Sequence, residues 1–99
     1  MDPLLTDLYQ FTMMATYIET GMTECAVFEF FVRKLPATRG FLMAAGLEQA
    51  LDYLENVRFT QSNVADLRRV TRLPEAFYDY LERFHFTGDV HAMPEGSVF

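Results

Sequence analysis

The chain has 99 residues, which is one domain's worth of sequence at most and leaves little margin for a core. Fourteen acidic against eight basic residues give a net charge of −6, which argues against a nucleic-acid or anionic-membrane surface, since both need clustered positive charge. Apolar residues make up 51%, with ten Phe, five Tyr and no Trp, so either the core is unusually aromatic or part of this surface meets another domain or subunit. Residues 1–15 carry no basic run, and Asp2 and Asp7 stand where a leader would place Lys or Arg. No apolar stretch nears the roughly 20 residues that cross a bilayer. The single Cys25 has no partner for an internal disulfide and reads as a small buried hydrophobe. Together these features describe a reduced, soluble, cytoplasmic chain.

The first helix is expected over Thr6–Thr20, with Thr6 as N-cap and Asp7 at the positive end of the dipole. Leu8, Phe11, Ala15, Ile18 and Met22 fall on one stripe, and Tyr9, Met13 and Tyr17 form a second beside it. Gly21 stops the helix. Residues 25–34 read as a strand ended by Pro36, with Ala26, Phe28, Phe30 and Val32 on one face and Val27, Glu29, Phe31 and Arg33 on the other. A turn over 36–40 leads to a short apolar run, Phe41 to Ala45, that fits a second strand. Gly46 then opens a second helix with Leu47, Ala50, Leu51 and Leu54 on one face. Thr60 and Ser62 are alternative caps for a third helix carrying Val64, Leu67 and Val70. Pro74 starts a fourth helix with Phe77, Leu81 and Phe84 inward. Gly88 breaks that pattern, Asp89–Met93 alternates like a strand, and Pro94-Glu95-Gly96 is a turn. The sequence stops at Phe99 as a further strand begins, so the expected fold is α+β and incomplete at its C-terminal end.

Four ordered stretches carry a resemblance: Leu4-Leu5-Thr6-Asp7-Leu8-Tyr9-Gln10-Phe11-Thr12-Met13-Met14; Phe28 through Pro36; Arg39-Gly40-Phe41 with Ala45-Gly46-Leu47-Glu48; and Phe86-Thr87-Gly88-Asp89-Val90 with Pro94-Glu95-Gly96. Together they are similar to the opening of nicotinate phosphoribosyltransferases, the type II phosphoribosyltransferases. The resemblance implies that residues 1–99 are the N-terminal part of an α/β sandwich domain, with the (β/α) barrel absent. It implies an enzyme that forms nicotinate mononucleotide and diphosphate from nicotinate and phosphoribosyl diphosphate, coupled to ATP hydrolysis, in NAD biosynthesis. ATP and Mg2+ are expected for the full enzyme, with none held by this segment. A phosphorylated His is expected in the downstream barrel, so neither His85 nor His91 inherits that role. The expected assembly is a homodimer whose site is shared with the barrel of the neighbouring subunit. The segment by itself is expected to be inactive. A nicotinamide-using relative, or a free-standing module that binds a full-length transferase, stays open as an alternative.

Tyr9 is the leading site candidate. By resemblance it packs against the pyridine ring, where offset stacking contributes about 0.5–1.5 kcal/mol beyond burial. The competing reading is an interfacial aromatic. Asp7, two residues earlier, is either a first-turn helix acid or a support for Tyr9. Arg33 has the planar fork that binds phosphate in a bidentate way, and in related enzymes the basic residue ending this strand reaches phosphoribosyl diphosphate. Its alternative is a pair with Glu29. Arg39 is a weaker anion candidate. Arg68, Arg69 and Arg72 read as a solvated helix face among Asp66 and Glu75. His85, between two Phe, reads as half-buried and structural, and the six-residue gap to His91 suits no metal.

Overall fold

The computed structural model describes residues 1–99, which form four helices in the order α1 (Leu8–Glu19), α2 (Leu47–Asn56), α3 (Gln61–Val70) and α4 (Glu75–Glu82). Of the expected inner stripe of α1, Phe11 and Ala15 are buried and Ile18 is half-buried, whereas Leu8 and Met22 at the two ends of the stripe are exposed. Asp7 rather than Thr6 is the N-cap, in extended conformation, and the Thr6 hydroxyl instead donates to Gln10 Oε1. Just after the helix the chain turns at Gly21, whose φ of 67° favours glycine. The third helix starts at Thr60: its hydroxyl accepts from the Asn63 amide at 3.1 Å while Asn63 Oδ1 accepts from the Thr60 amide at 2.9 Å. This reciprocal capping box settles the choice against Ser62. Pro74 stands one position outside α4, at its N-cap, where its missing N–H costs nothing.

The core has seven buried side chains: Phe11 and Ala15 from α1, Val64 and Leu67 from α3, and Phe77, Tyr78 and Leu81 from α4. The fourth helix is central, packing against both α1 and α3. Phe59, in the α2–α3 connection, joins the core edge-on, with ring centroids 6.3 Å from Phe11 and 5.7 Å from Phe84. The buried Tyr78 hydroxyl lies 2.8 Å from the Thr71 hydroxyl and accepts from the Leu73 amide at 3.1 Å, so its polar end is satisfied. The second helix contributes no buried residue and packs against none of the other three.

The expected strand over 25–34 is not formed. Val27, Phe28 and Phe30 are 88%, 92% and 102% exposed, and Cys25 is exposed rather than buried. A strand is stable only when its backbone groups pair with a neighbour and one face is covered, and residues 25–34 find neither here. Asp89–Met93 forms no strand either. The Phe41–Ala45 run pairs only locally, through one antiparallel bridge between Met43 and Val98. Around it, Leu42 and Phe99 exchange backbone bonds of 2.8 and 3.0 Å, the Ala44 amide donates to Ser97 at 2.7 Å, and the Gly96 amide donates to Ala44 at 2.8 Å. Residues 1–99 thus form a helical core with one short ribbon, and the strands of the expected α+β architecture are not formed within them. The molecule is elongated, 47 × 27 × 27 Å, with a radius of gyration of 16.6 Å. A compact chain of this length would measure about 13 Å.

Candidate functional site

Periodicity places Tyr9 on the side of α1 that the core leaves free. Phe11 and Ala15 face inward, so Tyr9, Met13 and Tyr17, each four residues on, line up on the outer face. Their exposures are 58%, 46% and 40%, which makes a continuous apolar stripe. Tyr9 stands in the first turn of α1, where the helix backbone gives its ring a rigid base. The Thr12 hydroxyl donates to the Tyr9 carbonyl at 2.8 Å and ties down the same turn.

Asp7 shares that helix start but makes no side-chain cap bond. Arg33 sits apart, exposed on the unpaired segment that follows α1. Its alternative partnership with Glu29 is not made: the chain's two ion pairs are Arg68–Glu75 and Arg69–Asp66. Without a ladder under residues 25–34, Arg33 also lacks the rigid strand end expected for it. Asp7 and Tyr9 share the start of α1 without a hydrogen bond between their side chains, and no hydrogen bond or ion pair joins Arg33 to either. A shallow cleft of about 360 Å3 is lined by Thr38, Arg39, Gly40, Phe41, Leu42 and Met43, and contains none of the three.

Arg68 is committed to structure. It pairs with Glu75, and its guanidinium carbon lies 4.2 Å above the Tyr78 ring centre. The hydrogen bond between them raises the Arg68 pKa and lowers that of Glu75. His85 is exposed rather than half-buried, its Nδ1 3.3 Å from the Arg83 carbonyl. No group of three His, Cys, Asp or Glu side chains is placed to hold a metal ion.

Glu95 is the residue that sequence reasoning missed. Its Oε1 accepts from the Gly46 amide and its Oε2 from the Leu47 amide, both at 2.9 Å. The Leu47 and Gly46 N–H groups hold its carboxyl below the ordinary carboxylate value. One signal was available. A helix opened by Gly46, whose φ is 98°, has no side chain of its own to satisfy its free N–H groups, so a cap must come from elsewhere.

Residues 4–99 match the family model described as the nicotinate phosphoribosyltransferase (NAPRTase) N-terminal domain. The chain belongs to the nicotinate phosphoribosyltransferase family and corresponds to its N-terminal domain. It is 44% identical over 95 residues to a Mycobacterium tuberculosis protein named nicotinate phosphoribosyltransferase pncB2, covering 96% of this chain and 20% of that one. The Bacillus subtilis nicotinate phosphoribosyltransferase is 44% identical over 96 residues, again 96% of this chain and 20% of the relative. The Caenorhabditis elegans nicotinate phosphoribosyltransferase is 43% identical over 106 aligned positions, covering 99% and 18%. The chain thus spans about a fifth of the length of these relatives. No solved structure matches it.

Proposed function

We propose that residues 1–99 supply one wall of the pyridine site of a nicotinate phosphoribosyltransferase, which joins nicotinate to phosphoribosyl diphosphate and releases diphosphate. The observation that carries this reading is Tyr9: a ring 58% exposed on a rigid helix turn, in a chain whose residues 4–99 match this family. A flat aromatic face held outside the core suits a flat pyridine. Nicotinate stacked on Tyr9 presents its ring nitrogen to the anomeric carbon of phosphoribosyl diphosphate. The nitrogen's electron pair forms the new bond as the bond to diphosphate breaks. Arg33 serves the phosphates, and Asp7 supports the turn that carries Tyr9.

The rest of the site comes from a barrel in a homodimer, the helical cluster and residues 25–34 taking their place in an α/β sandwich domain. ATP hydrolysis with Mg2+ drives the reaction in the complete enzyme. The residues present here do not fit that ion, since no three His, Cys, Asp or Glu side chains converge. A single wall cannot position two reactants, so the advantage of a closed site is lost and the 99-residue chain is inactive on its own. The test is formation of nicotinate mononucleotide by the full-length protein, with and without ATP, beside the isolated chain. Product from the full-length protein alone is the expected result. Absence of product from the full-length protein, or turnover by the isolated chain, overturns the reading.

A further inference from the structure

Helix α2 packs against no other helix and buries no side chain, yet both of its neighbouring segments are anchored. On its N-terminal side stand the Glu95 bonds to Gly46 and Leu47 and the ribbon of residues 42–44 against 96–99. On its C-terminal side Phe59 is fixed in the core between Phe11 and Phe84. Between these anchors lie only Val57, in extended conformation, and Arg58. The return connection, from Phe84 to Met93, forms no regular element.

We propose that Glu95 makes α2 and the 42–44/96–99 ribbon one body, hinged at Val57–Arg58 and mechanically separate from the α1–α3–α4 core. The chain distance explains why a clasp is needed: Glu95 lies 49 residues from Gly46, and four backbone hydrogen bonds cannot hold a free ribbon. Its two oxygens close on two successive amides of a helix start, which fixes both the position and the direction of 94–99 along α2. Motion about the hinge carries the Arg39–Phe41 cleft with this body while Tyr9 stays with the core. The distance between the two then varies with the hinge.

Hydrogen exchange read by mass spectrometry on the full-length protein tests this, with Glu95→Gln and, as a control for charge alone, Glu48→Gln. In the unaltered protein, peptides covering 42–47 and 94–99 should open together, at a rate distinct from α3 and α4. Glu95→Gln should speed exchange in both peptides by about five- to tenfold, the effect of losing a helix cap, and leave α1, α3 and α4 unchanged. Glu48→Gln, which removes a first-turn charge but neither Glu95 bond, should have a smaller effect on the 42–47 peptide and none on 94–99. Response of the 42–47 peptide alone to Glu95→Gln, spread of the effect into the core, no response, or an equal effect of Glu48→Gln each overturns the proposal. If Glu95→Gln does not fold, the unaltered protein still decides: unequal opening of the two peptides refutes a single body.

Discussion

Truncation of Phe77 to Ala tests the account of the core most directly. Phe77 is 0% exposed and lies in α4, the helix that packs against both α1 and α3. Removing a buried Phe ring costs about 3–5 kcal/mol, the transfer loss plus the cavity left behind. Natural domains are stable by about 0.05–0.15 kcal/mol per residue. A core of only seven buried side chains belongs at the low end of that range, near about 5 kcal/mol for this chain. Phe77→Ala therefore removes most or all of the margin. Urea unfolding followed by far-ultraviolet circular dichroism should show a cooperative transition for the unaltered chain and a reduced or absent one for the variant. Phe28→Ala, at a side chain 92% exposed, should leave the midpoint within about 0.5 kcal/mol. A loss below about 1 kcal/mol for Phe77→Ala would refute the reasoning, because no fully buried ring at the junction of three helices can be that cheap.

Tyr78→Phe leaves the Leu73 amide without its acceptor, and should cost about 1–3 kcal/mol in the same assay. Thr60→Ala removes one half of the α3 capping box, for an expected loss of about 1 kcal/mol. Glu95 has a lowered pKa, so its clasp is fully present above the ordinary value of 4.5 and is lost as pH falls through the lower folded value. Protection of the Gly46 and Leu47 amides should follow that curve. The part of this dependence that Glu95 carries is read as the difference from Glu95→Gln. In the full-length enzyme, Tyr9→Ala should raise the KM for nicotinate by about two- to tenfold, the stacking contribution, without lowering stability. An unchanged KM removes Tyr9 from the site.

The helices were legible because helical periodicity is a local property. Spacing separates the stripe of Phe11 and Ala15 from that of Tyr9, Met13 and Tyr17, and the structure shows that the first is buried at its centre and the second exposed. Cap positions were less legible. Asp7 displaces Thr6 because the Thr6 hydroxyl is taken by Gln10, and Thr60 wins over Ser62 because Asn63 stands three residues on to complete the box. Strands are another matter, since β-propensity measures fit to a pleated, half-buried surface and not a preference of the isolated backbone. Residues 25–34 have the alternation, but no neighbour in this chain, and the expected Glu29–Arg33 face disappears with the ladder. Glu95 was hidden for a third reason: its partners are backbone amides 48 and 49 residues away, which no side-chain pattern marks.

The composition left two explanations for so many aromatics, a self-contained core or a covered surface, and the structure separates them. Phe11 and Phe77 are buried, Phe59 and Phe84 half-buried, and the other six of the ten Phe are exposed. A self-contained aromatic core does not account for them. Burying one Phe side chain contributes about 1.5–3 kcal/mol, so Phe28, Phe30 and Phe31 together hold back roughly 5–9 kcal/mol. That gross gain, from which the entropy of ordering the segment must be subtracted, is available only when a neighbouring surface also pairs its backbone groups. The core is satisfied by α1, α3 and α4, whereas Phe28 and Phe30 carry an alternation that nothing within residues 1–99 covers.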